Sequence, residues 1–312
     1  MGEDSKLIGE YGEKSVENFL NLIGWLEPLK AIGFGCNSNE HLNRKGNQKK
    51  THGLDFFYHY ISPLVDSVLH KIHISSKYSD KAYPNSPNTK FIEHCEDLFT
   101  AMDCFEKSER SKEIMRSIRN YSQIENIGVL FWLSSNPDTY FDLIPKVASS
   151  LIRFDSNYDK LFVVDNKRID FIYRAITFCQ ASFPSKDLSF YYPDTGKNIN
   201  PLTKKNYGKV LPVEYINTSI LPIRIEDTQS GVTNLILLSI DPFEKEDLKR
   251  LIDLSQRLSN SWTGKVVIAF KTYNEVRNGA DVRLVKSLFE SRKTKEDLII
   301  TSYDNSFIKL QE

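Results

Sequence analysis

Gly53-Leu54-Asp55-Phe56-Phe57-Tyr58-His59-Tyr60 and Val68-Leu69-His70-Lys71-Ile72-His73-Ile74-Ser75-Ser76-Lys77-Tyr78 decide how this chain is read. Both stretches are rich in β-branched and aromatic residues, and Pro63 closes the first, so each reads as a strand. In the second, period-two alternation puts Ile72, Ile74, Ser76 and Tyr78 on one face and Lys71, His73, Ser75 and Lys77 on the other. In the first, Asp55 shares a face with Phe57 and His59. If those two faces point the same way, Asp55, Ser75 and Lys77 converge.

Outward from these strands, the pattern before them is helical. Asp4 or Ser5 can cap a helix whose apolar stripe runs through Ile8, Gly12, Val16, Phe19, Leu20 and Ile23, with Gly24 as its stop. Glu13 sits at the edge of that stripe, whereas Glu10 and Glu17 are expected to be solvated. After the strands, the turn-rich Tyr83-Pro84-Asn85-Ser86-Pro87-Asn88 leads into a helix from about Lys90 to Glu106. Ile127-Gly128-Val129-Leu130-Phe131-Trp132-Leu133 then reads as a strand buried on both faces. A strand at 161–164, a helix at 169–179 and a strand at 189–192 are expected to complete this lobe. The remainder alternates strand and helix: strands at 234–240, 265–270 and 298–303, helices at 244–258 and 280–290. The expected division is 1–195 for the first domain and 196–312 for the second, near the polar segment Pro193 to Gly208.

A length of 312 residues favours two lobes over one core, and 40% hydrophobic residues supply material for both. The balance of 41 basic and 41 acidic residues gives no overall pull towards polyanions. Nucleic-acid contact therefore needs a local basic surface, and the one dense run is Arg44-Lys45-Gly46-Asn47-Gln48-Lys49-Lys50. No Walker-type phosphate loop occurs. The cysteines, Cys36, Cys95, Cys104 and Cys179, form no CxxC pair, so spacing argues against a structural zinc site or a disulfide framework. His52, His59, His70 and His73 crowd one region, but they are not expected to bind a metal: histidines suit zinc better than magnesium, no adjacent cysteine completes a set, and His70 and His73 fall on opposite strand faces. No stretch approaches bilayer-spanning length and no signal-peptide pattern opens the chain, so a reducing cytoplasm is the expected location. Tyr191-Tyr192 can stack on bases, although such residues more often fill a core.

An acid and a lysine on adjacent strands, with a second acid arriving from a helix, suit phosphodiester hydrolysis. Magnesium or manganese takes hard oxygen ligands and keeps several waters, so one or two carboxylates and a backbone carbonyl suffice to hold it. Asp55 is the expected central ligand, with the Ser76 carbonyl and Glu13 beside it. Lys77 orients the water or offsets charge in the transition state. Ser75, Lys49, Lys50 and His52 are the candidates for contact with the substrate.

This arrangement resembles the PD-(D/E)XK, or restriction-endonuclease-like, superfamily. The matching text is Gly9-Glu10-Tyr11-Gly12-Glu13 with Phe19-Leu20 and Gly24-Trp25, then Gly53-Leu54-Asp55, then Ile74-Ser75-Ser76-Lys77-Tyr78-Ser79. Ser75 departs from the pattern by standing where the second acid belongs. The implied fold is α/β: a mixed sheet flanked by helices, followed by a C-terminal α/β lobe. More narrowly, the run from Ile74 to Ser79, Tyr83 to Pro87, Lys90 to His94 and Gly128 to Leu133 resembles the nuclease-like subunit of a two-gene bacterial anti-phage system of the GAPS type. That resemblance implies DNA cleavage in defence, alongside a partner protein encoded next door. The alternative is a weak or inactive nuclease fold that binds DNA or the partner, with Ser75 in its favour. RNA is a third possible substrate.

Overall fold

In the computed structural model, residues 2–43, 46–136, 141–150, 158–259, 262–289 and 297–304 are described. Arg44 and Lys45 of the basic run lie outside them. The chain forms two compact units, Met1–Ile169 with Lys197–Asn200, and Asp170–Gly196 with Pro201–Glu312.

The first unit begins with helix α1 (Gly2–Leu22) and a meander of three strands, β1 (Leu29–Gly35), β2 (Thr51–Ile61) and β3 (Val68–Ser79). Helices α2 (Asn88–Glu106) and α3 (Glu109–Ser117) then carry the chain to β4 (Gln123–Ser134). A short helix α4 (Leu143–Val147) precedes β5 (Lys160–Val164). The sheet order is β1-β2-β3-β4-β5, antiparallel through β3 and parallel from β3 to β5. A parallel neighbour requires a crossover, and α2 with α3 supplies it.

One face of the sheet meets α1 and the other meets α2. Phe19 of α1 lies edge-on to Phe131 of β4, and Trp25 stacks on Tyr58. On the α2 side, Phe91, Cys95, Leu98, Phe99, Met102 and Phe105 pack with Leu54, Phe57 and Leu130. These six recur at helical spacing, which explains why this face of α2 is buried. The expected alternation in β3 is realised there: Lys71 and His73 are buried and both bond to Glu106 of α2.

Lys197–Asn200 joins this unit through a short set of bonds. The Asp66 amide donates to the Lys197 carbonyl (2.8 Å), the Asn200 amide to the Asp66 carboxylate (2.8 Å), and the Asn198 side chain to the Pro63 carbonyl (3.1 Å).

The second unit takes most of α5 (Asn166–Ser182), then β6 (Asp187–Tyr191), β7 (Tyr207–Gly208), β8 (Ile220–Glu226) and β9 (Thr233–Ser239). It ends with α6 (Lys245–Ser259), β10 (Val266–Phe270), α7 (Glu275–Ser287) and β11 (Leu298–Ser302). Its sheet order is β11-β10-β9-β8-β6-β7, with β9, β10 and β11 parallel as their alternation with helices dictates.

The expected boundary at 195 differs from this division. Residues 189–192 do not complete the first lobe, because β6 pairs antiparallel with β8 of the second sheet. Tyr191 stacks on Trp262 with ring centroids 5.1 Å apart, and the buried Tyr192 donates its hydroxyl proton to the Val210 carbonyl. Both rings therefore serve packing within this unit. Among the described residues, no helix is long and apolar enough to cross a membrane.

Candidate active site

Asp55 stands where the regular ladder fails on both sides. The β1–β2 register runs Leu29 with Phe57, Lys30 with Phe56 and Ile32 with Leu54, omitting the position opposite Asp55. That position is Ala31, whose φ of 48° lies in the left-handed region that a Cβ disfavours. The β2–β3 ladder starts at Phe56 with Ile74, so Asp55 and Ser75 are not paired either. Leu54 and Phe57 both pack in the core beside α2, which strict alternation forbids for residues three apart, so the strand changes facing at this step. Freed from the ladder, the Asp55 carboxylate accepts a 2.6 Å hydrogen bond from the Ser76 amide. Asp55 is thereby tied to β3 one residue before Lys77.

Asp55, Ser75 and Lys77 line one cleft of about 240 Å³, together with Lys49, Thr51, His52, Gly53, Leu54 and Asp97. Ser75 is nearly buried, with 7% of its surface exposed. The Lys77 ammonium lies 3.6 Å from the Asp97 carboxylate, and Lys49 donates to the same carboxylate at 2.9 Å. Partial burial opposes ionisation of Asp97. The hydrogen bond from Lys49 and the nearby charge of Lys77 outweigh it and hold the carboxyl below its usual range.

Of the residues expected at the substrate, Ser75, Lys49 and His52 line the cleft and Lys50 does not. Lys50 is exposed and outside the cleft lining, and its carbonyl accepts from the Cys36 amide at 2.9 Å. His52 borders the cleft, but its Nε2 lies 3.2 Å from Nδ1 of His41, which commits that nitrogen elsewhere.

Glu13 reaches the neighbourhood because α1 lies close to the far end of β3. A Cβ on Gly12 would stand 2.3 Å from the Tyr78 Cβ, so only glycine permits this approach. Glu13 sits on the exposed flank of α1 and does not line the cleft. Partial desolvation, then the charge of Asp55, then that of Glu10 raise its carboxyl above the ordinary value. Asp55 and Glu13 therefore repel one another, the condition a shared divalent cation relieves, and the donor set fits a hard oxygen-binding metal.

Asp97 escaped the sequence reading. It lies on the flank of the α2 stripe, beside His94, Leu98 and Ala101, and an acid at the edge of an apolar stripe was the available signal.

An acid-bearing helix, a three-stranded meander with Asp on its second strand and Lys on its third, and a helical crossover to a parallel strand define a nuclease domain of the PD-(D/E)XK class. The family model described as GAPS4 protein PD-(D/E)XK nuclease domain matches residues 1–168, more than half of the chain, and the chain belongs to that family. It is thus a nuclease-type protein of a defence system. No curated protein and no solved structure matched in the corresponding comparisons.

Proposed function

We propose that the first unit is a DNA endonuclease acting in anti-phage defence, in the cytoplasm, together with the protein product of a neighbouring gene. The observation that carries this reading is the opening of Asp55, Ser75 and Lys77 onto one cleft, where β2 leaves its ladder. Asp55 and Glu13, with the Ser76 carbonyl, would hold Mg²⁺ or Mn²⁺. Such an ion, when bound, supplies charge neutralisation and a water of lowered pKa.

The chain's own groups do the positioning. The Ser76 amide fixes the Asp55 carboxylate. Lys77 presents a positive charge to the attacked phosphate, and Asp97 sets the position of both Lys77 and Lys49. Lys49 faces the cleft and is the phosphate contact that remains from the basic run. Ser75 leaves the site one negative charge short of the family pattern, and Glu13 is the acid available to compensate.

The test uses purified full-length protein, with and without the neighbouring gene product, on linear and circular DNA in magnesium, manganese or EDTA. Cleavage requires the metal, and Asp55→Ala and Lys77→Ala each lower it by at least about 100-fold while circular dichroism stays unchanged. Cleavage at wild-type rate in either variant ends the proposal.

A second reading is favoured by Ser75 and by the pairing of both cleft lysines with Asp97: a nuclease fold that binds DNA or the partner without cutting. It expects metal-independent binding, no cleavage, and phage protection that survives Asp55→Ala. Side-by-side digestion of DNA and total tRNA separates the two polymers.

A further inference from the structure

Four side chains that no short motif connects meet at one point of the first unit. Cys36 directly follows β1, His41 lies in the loop behind it, His52 is the second residue of β2, and Cys104 sits in the last turns of α2. One ligand atom from each lies within 4.8 Å of all the others. Cys36 Sγ and Cys104 Sγ are 3.9 Å apart. His41 Nδ1 stands 3.5 Å from Cys36 Sγ, 3.3 Å from Cys104 Sγ and 3.2 Å from His52 Nε2.

These separations have the size of one coordination shell. Zinc binds thiolate at about 2.3 Å and imidazole at about 2.0–2.1 Å, so a tetrahedral Cys₂His₂ site has S···S, S···N and N···N edges of about 3.8, 3.5 and 3.3 Å. The four measured edges follow that order and differ from it by a few tenths of an ångström. We propose that Cys36, His41, His52 and Cys104 form a structural Zn²⁺ site that clamps the β1–β2 loop onto α2.

The surroundings are built for that task. The Asn37 amide points at Cys104 Sγ from 3.4 Å, the kind of N–H···S bond that stabilises a metal-bound thiolate. The loop is already folded back on itself: the Lys49 amide donates to the His41 carbonyl at 2.7 Å, Leu42 bridges Gln48, and Gly46 adopts a φ of 75°. His52 and Cys104 are both buried, and four protein ligands close the shell, so the site has no position for substrate. Thiolate and imidazole together select zinc over the magnesium that suits carboxylates. Lys49 of this loop and His52 at the start of β2 both border the candidate active cleft, so the metal would also hold one wall of that cleft in place.

Full-length protein purified without chelator should contain about one zinc per chain by elemental analysis. Zinc removed and replaced by Co²⁺ should give the visible ligand-field bands of a tetrahedral sulfur–nitrogen site. Cys36→Ser and Cys104→Ser should each lose most of the metal, whereas Cys179→Ala, in the other unit, should keep it. The cobalt spectrum needs no variant and so does not depend on any substitution folding. Failure of the wild-type protein to take up either metal overturns the proposal. So does full zinc content in the Cys36→Ser/Cys104→Ser double variant, or a Cys36–Cys104 disulfide in the native protein.

Discussion

Around Lys77 the decisive question is what holds the ammonium. The Asp97 carboxylate lies 3.6 Å away, and Asp97 is bound more tightly by Lys49 at 2.9 Å. A cation on a four-carbon stem has no preferred place of its own, and the carboxylate supplies one at the cost of partly neutralising it. Asp97→Asn should therefore act on turnover: a misplaced group costs rate, while freed lysines keep or improve their grip on phosphate. DNA cleavage is expected to fall about tenfold, with DNA affinity equal to or above that of the parent. Single-turnover rates and filter-binding affinities measured on the same preparations decide it, and an unchanged rate would remove Asp97 from the positioning role.

Between elements, two contacts place α1 and α2 on the sheet. On the α1 side the approach depends on Gly12, where an added methyl would meet Tyr78. Gly12→Ala gains helix propensity but overpacks a site bordered by the strand that carries Lys77, so a net loss of about 1–3 kcal/mol is expected in urea unfolding. On the α2 side, Glu106 bonds to Lys71 and to His73, while Lys71 also donates to Ser111. The Lys71 side chain is only 3% exposed. Glu106→Ala leaves a buried ammonium without its carboxylate and should cost about 3 kcal/mol, and Glu106→Gln less, because an acceptor survives. Equal midpoints for parent and Glu106→Ala would show that the pair is idle. Much of this architecture was legible: the apolar spacing of α1 and α2, the alternation of β3 and the uninterrupted run of β4 are local patterns. What was hidden is non-local. Strand β6 looked like the end of the first lobe because periodicity carries no information about which sheet a strand joins. Asp55 is read as a candidate from its strand alone, but the failure of pairing around it depends on Ala31 and Ser75, each some 20 residues away along the chain. Cys36 and Cys104 are separated by 68 positions, so no spacing rule connects them.

For the whole molecule, equal numbers of acidic and basic residues cancel at neutral pH, so acid sensitivity depends on the groups that burial prevents from charging. His59, His73 and His94 all have lowered pKa values with desolvation as the largest cause; His94, with Lys77 adding to the effect, is brought down to about 4. In the unfolded chain each would titrate near 6.5. Between those values the unfolded state binds more protons, so stability rises with pH there. The contribution is fully present above about pH 6.5 and is lost as pH falls through the unfolded value towards the folded one. Glu106 and Asp97 act lower down: their folded pKa values lie below those of free carboxyls, so their contribution is lost only as pH falls through the depressed values. The expected profile is a thermal midpoint that begins to drop between pH 7 and pH 5, before Glu106 and Asp97 titrate, with His94 alone accounting for about 2 kcal/mol at pH 5. His94→Asn should make the upper part of that profile less steep, the other buried imidazoles accounting for what remains, and leave the carboxylate part in place. A midpoint constant from pH 7 to pH 5 in the parent protein would mean that these imidazoles take up protons in the folded state as readily as in water, and that burial does not set their charge.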